Sequence, residues 1–123
     1  MVLMWSIWME LMPYTNRFTQ KGLVMIRTES VSALKAARQK HNVALIDVRE
    51  VDEYTSGHVP GVLNMPLSSF VHHYQELDNG KEYHVICQSG ARSAQAVAFL
   101  ESKGYSAVSV EGGTQAWDEA LTF

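Results

Sequence analysis

The chain has a single cysteine, Cys87, at the point where an apolar run meets a loop of small and polar residues, Cys87-Gln88-Ser89-Gly90-Ala91-Arg92-Ser93. A lone cysteine in an apolar strand is ordinarily a small buried hydrophobe. The residues after it point to chemistry instead. Gly90 is free to take positive φ, so the turn can aim successive backbone N–H groups into one concavity that binds anions. A helix beginning at Ser93 would add the partial positive charge of its N-terminus, and Ser89 or Ser93 could satisfy its open amides. A thiol facing such a cradle is expected to have a lowered pKa and to act as a nucleophile. Arg92 stands at the far end of the loop with a fork of donors suited to an anionic substrate. A cation at a helix N-terminus opposes the helix dipole, so its presence there implies an anion close by.

A second group with chemistry is Asp47-Val48-Arg49 at the end of another apolar run. Its two charges are expected to form a structural ion pair in preference to acting on substrate.

The elements that must hold these residues alternate along the chain. Ser30 to Lys40 reads as a helix that Thr28 or Ser30 could cap. Val43 to Val48 is a short β-branched run that fits a buried strand. Glu50 to Ser56 is a helical piece that Gly57 would end, and Val62 to Met65 a second strand between Pro60-Gly61 and Pro66. Leu67 to Leu77 reads helical, followed by the turn Asp78-Asn79-Gly80. Tyr83 to Cys87 is a third strand and Ser93 to Ser102 a helix stopped by Gly104. Ala107 to Val110 is a fourth strand, Gly112-Gly113 a turn, and Thr114 to Ala120 a last helix. This order predicts an α/β domain, a mostly parallel sheet with helices on both faces. In such a sheet a site forms beyond the carboxyl ends of the strands, where Asp47 and Cys87 both lie.

At 123 residues, with 46% hydrophobic and 19% charged, the chain has room for one core. A net charge of −3 and no Lys/Arg block exclude a basic nucleic-acid-binding domain. One cysteine excludes an intrachain disulfide and the Cys-x-x-Cys zinc sites. No run of apolar residues is long enough for a transmembrane helix. Met1 to Met12 are apolar except for Ser6 and Glu10. Residues 1–24 are read as an N-terminal extension, packed on the domain or mobile, and residues 25–123 as the domain proper. Membrane association of residues 1–12 is the lesser reading, because an interfacial anchor would carry Lys or Arg on its polar face. Trp5 and Trp8 could mark an interface, though their spacing is also ordinary core spacing.

Five segments in order resemble one family. Val85-Ile86-Cys87-Gln88-Ser89-Gly90-Ala91-Arg92-Ser93-Ala94 is similar to the active-site loop of rhodanese-like sulfurtransferases. Leu45-Ile46-Asp47-Val48-Arg49-Glu50 resembles that family's first signature. Glu53-Tyr54 with Gly57-His58-Val59-Pro60-Gly61-Val62 resembles its second, continued by Asn64-Met65-Pro66-Leu67. Glu111-Gly112-Gly113 with Ala116-Trp117 resembles its C-terminal signature. The match runs from about Thr28 to Leu121 and implies a single rhodanese-like domain. It implies sulfur transfer in two steps, from a donor such as thiosulfate to Cys87 as a persulfide, then to a thiophilic acceptor. Gln88, Ser89, Gly90, Ala91, Arg92 and Ser93 would form the substrate-binding loop, with Asp47 and Arg49 supporting. The partners implied are a small anionic sulfur donor or a protein persulfide, and a thiol or cyanide as acceptor. No cofactor, metal or nucleic acid is expected, and the protein is read as cytoplasmic.

Other readings weigh less. His58 lies in a turn that the family uses structurally. His72 and His73 are adjacent on a helix and point about 100° apart, so with His84 they make a poor metal set. Phosphatases and arsenate reductases of the same scaffold carry one more residue between cysteine and arginine, whereas four separate Cys87 from Arg92. A non-catalytic binding module is the rival from another class, and such modules usually lack the cysteine.

Overall fold

The structure is a computed structural model that describes residues 15–18 and 25–123; Met1 to Met12, including Trp5 and Trp8, lie outside the described residues. Its sheet has the order β1-β2-β6-β5-β3-β4. The strands are β1 (Thr15–Phe18), β2 (Met25–Glu29), β3 (Ala44–Asp47), β4 (Leu63–Asn64), β5 (Glu82–Ile86) and β6 (Ser106–Val110). β2 to β6 pair in parallel and β1 pairs antiparallel with β2. Strand β1 falls inside the stretch read as an extension. The helices are α1 (Val31–Lys40), α2 (Val51–Thr55), α3 (Phe70–His73) and α4 (Ala91–Ser102).

Alternation along each central strand builds two cores. Ile46, Tyr83, Val85 and Ala107 face one side, where Phe70 of α3 and Ala96, Val97 and Leu100 of α4 cover them. Leu45, Ile86 and Val110 face the other, under Val31 and Leu34 of α1 together with Val59. Side chains with this little exposure, such as Leu34 and Phe70, each stabilise the fold by roughly 1.5–3 kcal/mol. Helices thus lie on both faces, as the alternating pattern predicts.

Local chemistry sets the boundaries. Ser30 caps α1, its side chain accepting from the Ala33 N–H at 3.0 Å. Two helical expectations fail. Leu67 to Leu77 is not one helix but α3 between two 3-10 turns, Leu67–Ser69 and Tyr74–Glu76. Here Phe70 is buried while Val71 stays exposed, so the segment follows the core surface and not a regular apolar stripe. The expected last helix, Thr114 to Ala120, is only the 3-10 turn Thr114–Ala116. Trp117 takes extended backbone there and packs beside α1, with Lys35 and Arg38 over its ring at 5.9 and 5.8 Å. Strand β2 was not singled out in the sequence: Met25–Glu29 mixes exposed Met25 with buried Glu29, which blurs the apolar signal. Among the described residues, no helix is long and apolar enough to cross a membrane.

Candidate functional site

β5 lies between β6 and β3, so its carboxyl end is flanked by theirs. The register sets Asp47 beside Ile86, and the Val48 N–H donates to the Ile86 carbonyl at 3.0 Å. Asp47-Val48-Arg49 therefore adjoins Cys87, as two strand ends in one parallel sheet should. On the other flank, the Gly112-Gly113 turn after β6 runs under the loop. The Thr114 N–H donates to the Cys87 carbonyl at 2.8 Å, and the Gln115 N–H to the Gln88 carbonyl at 3.1 Å. Gly113 has φ +60°, and a Cβ there would overlap the carbonyl oxygens of Cys87 and Gln88. Only glycine lets the two backbones approach this closely.

Cys87 itself is 1% exposed. Its Sγ accepts a hydrogen bond from the Gly90 N–H at 3.0 Å and lies 3.5 Å from Ser93 Oγ. Gly90 turns the chain with φ +112°, then serves as the N-cap of α4 without a side chain to cap it. The amides of the first turn that follow it have no acceptor within the helix. Ser93, expected as a possible partner for those amides, instead donates to the Gly90 carbonyl at 3.1 Å and meets Ser109 Oγ at 2.8 Å. It is fully buried and ties the loop to β6. The helix begins two residues earlier than expected, at Ala91, because Gly90 rather than a polar side chain ends the turn.

The supporting pair is an ion pair, as the residue types suggested. Arg49 donates through Nε and Nη2 to the Asp47 carboxylate, with contacts of 2.9–3.2 Å, in a pocket that leaves the two side chains 4% and 0% exposed. Arg49 also donates to the Gly57 carbonyl at 2.8 Å and to Gln88 Oε1 at 3.3 Å. It thus reaches the loop through Gln88. His58 accepts no such role: its ring stacks on Tyr54 at 3.7 Å and its Nδ1 meets the Tyr54 carbonyl. His73 pairs with Glu76 and His84 with buried Glu29, so the histidines are dispersed.

Arg92 holds a partner that its sequence neighbours do not indicate. Its two terminal nitrogens grip the Glu53 carboxylate end-on, at 2.6 and 2.8 Å, in a pair about one-third exposed. Glu53 Oε1 also accepts from the Glu50 N–H at 3.1 Å, as the third residue of α2. The Arg92 hydrogen bonds hold the Glu53 carboxyl at about 2, against burial that pushes it up, with the Glu50 N–H assisting. The Glu53 carboxylate in turn pushes the Arg92 guanidinium higher. In the sequence, Glu53-Tyr54 stands out only as part of a motif. Its one sequence signal is a capping pattern, Glu50-x-x-Glu53, which says nothing of a residue 39 positions away.

A family model described as the Rhodanese-like domain matches residues 30–120. The chain belongs to the rhodanese-like domain family. A sulfurtransferase of Allochromatium vinosum is 34% identical over 93 residues, 75% of this chain and 85% of the relative. The thiosulfate sulfurtransferase GlpE of Shewanella oneidensis is 29% identical over 92 residues, 74% of this chain and 91% of the relative. The crystal structure of a rhodanese-like domain protein from Staphylococcus aureus superposes with a TM-score of 0.74 at 32% identity, covering 78% of this chain and 96% of the other. The rhodanese-like family thus includes relatives named for sulfur transfer, and the matched span contains every residue of the site described above.

Proposed function

We propose that this rhodanese-like domain is a sulfurtransferase that carries sulfane sulfur as a persulfide on Cys87. The observation that carries the reading is the Gly90 N–H donating to Cys87 Sγ at 3.0 Å, at the head of a helix whose first turn has no side-chain cap. In the first half-reaction the Cys87 thiolate attacks the outer sulfur of a donor such as thiosulfate. The Sγ–S bond forms, the donor's S–S bond breaks, and sulfite leaves with the electron pair. The backbone N–H groups from Gln88 to Ser93 stabilise the terminal sulfur and its negative charge as dipoles already in place. In the second half-reaction a thiolate or cyanide takes the outer sulfur and returns the thiolate to Cys87. Two half-reactions through one covalent intermediate give ping-pong kinetics.

Arg92 orients an anionic donor through the N–H groups that Glu53 leaves open. Arg49, locked by Asp47, fixes Gln88 and with it the first peptide of the loop. Four residues between Cys87 and Arg92 keep the ring of donors small, which suits one sulfur atom better than a tetrahedral phosphate. The test is intact mass after incubation with thiosulfate. A gain of one sulfur atom, lost on adding cyanide and absent from Cys87→Ser, is the expected result. An unchanged mass in the wild type with thiosulfate and with a thiol persulfide alike overturns the reading in favour of a binding module.

A further inference from the structure

We infer that Glu53 sets donor specificity, by neutralising Arg92 at the pocket mouth so that a persulfide borne on a thiol is preferred to dianionic thiosulfate. The inference rests on the sulfurtransferase reading and names the substrate class of that same site.

The argument is one of charge and geometry. Among the described residues, the ionised side chains paired beside the loop are Arg49 with Asp47 and Arg92 with Glu53, with Glu50 next to them and Glu111 following β6 where its backbone meets Gly90. Arg49 is taken up by Asp47, and Arg92 by Glu53 through both terminal nitrogens. Glu50 is held beside them by Ser68, whose hydroxyl donates to its Oε1 at 2.7 Å. Each of the two cations is matched by a carboxylate, so among the described residues these pairs leave no positive excess at the rim. The Glu53 carboxyl, held near 2, stays ionised at any pH where the enzyme would work. A donor with two negative charges gains little on entering such a rim. The Arg92 fork has five N–H groups and Glu53 occupies two, so oriented donors persist while the charge is cancelled. That combination suits a weakly charged donor that needs alignment more than attraction.

Access admits such a donor. Cys87 is 1% exposed, so only the tip of a donor reaches it. A thiol persulfide presents its outer sulfur at the end of a chain. The Cys87 thiolate attacks that sulfur, the Sγ–S bond forms, and the donor's S–S bond breaks. The thiolate that leaves takes up a proton, and no oxidant or reductant is consumed.

Glu53 is a positioning residue in this scheme, and the test separates specificity from structure. Glu53→Gln keeps an amide oxygen for the Glu50 N–H, since glutamine serves in a capping box as glutamate does. The donors are thiosulfate and the persulfide of 2-mercaptoethanol, whose carbon chain is uncharged. The ratio of kcat/KM for thiosulfate to that for the persulfide is expected to rise about tenfold in Glu53→Gln, with the gain in the KM of thiosulfate and not in kcat. In the wild type, the KM of thiosulfate is expected to change less than about twofold between 50 and 300 mM salt, because no net attraction remains to be screened. In the variant it is expected to climb steeply with salt. An unchanged or lowered ratio in a variant that unfolds cooperatively overturns the inference, as does a steep salt dependence in the wild type, which needs no variant. Formation of the Cys87 persulfide by both donors in the wild type keeps the sulfurtransferase reading intact under either of those failures. Its formation by neither donor overturns the reading and the inference together.

Discussion

Two arginine–carboxylate pairs flank the Cys87 loop, and burial divides their duties. Asp47–Arg49 is sealed, with side chains 0% and 4% exposed, and is reinforced by the Gly57 carbonyl and Gln88. Glu53–Arg92 is about one-third exposed and shorter, yet it opens to solvent. In the first pair the charges are out of water, so losing either partner strands the other at high cost. In the second, water can replace the partner, so the pair is worth little to stability and lies open to solvent. Two pairs of the same chemistry are thus a frame and an adjustable rim.

The comparison can be broken most completely by removing what both pairs serve. Cys87→Ser is nearly isosteric and its hydroxyl can accept from Gly90, so the fold should hold while sulfur transfer falls below a few per cent of wild type. Retained transfer in a stopped-assay comparison would place the nucleophile elsewhere, although the chain has no second cysteine.

The frame is expected to fail next. Asp47→Ala leaves the Arg49 guanidinium buried beside a lost partner, and denaturant unfolding should show a loss of about 3–5 kcal/mol. A loss under 1 kcal/mol would mean that water enters the site and that the pair is not the frame described.

Arg92→Ala sharpens the contrast. Stability should change by at most about 1 kcal/mol, since the pair it breaks is about one-third exposed. Activity with thiosulfate should fall roughly tenfold or more, because the orienting fork is gone and Glu53 is left as a bare negative charge at the mouth. With the persulfide of 2-mercaptoethanol, which carries less charge than thiosulfate, the fall should be smaller. Equal losses with both donors would assign Arg92 to shaping the loop.

The smallest effect is read in acid. The Glu53 carboxyl is lowered from an ordinary 4.5 to about 2 by the Arg92 hydrogen bonds. A depressed carboxyl contributes stability that is complete above its unfolded value and fades as pH falls through the folded one. The difference in unfolding free energy between wild type and Glu53→Gln should therefore be constant above about pH 5 and shrink between pH 4.5 and 2. A difference that persists at pH 2 would show that packing, and not the ion pair, distinguishes the two.

The local elements were legible because their signals are local. The β-branched run at Leu45-Ile46 and the apolar spacing in α4 each report a nearby burial surface, and Ser30 marks the helix start it caps. The failures came where a surface overrides a period. Phe70 alone anchors the broken turns after β4, and Trp117 docks beside α1 in extended backbone where a helix was expected.

The sequence by itself determined the order of the elements from α1 to β6, the placing of Cys87 and Asp47 at strand ends, and a loop of four residues between Cys87 and Arg92. Those are properties of residue type and spacing along the chain. Tertiary structure decided that Arg92 meets Glu53, that Ser93 meets Ser109, and that Gly113 lies against the Cys87 carbonyl. Each of these contacts joins segments at least sixteen residues apart, across neighbours fixed only by the strand order β6-β5-β3. Spacing along the chain carries no record of which strand end lies beside which, so the partner that neutralises Arg92 emerges only when the sheet is assembled.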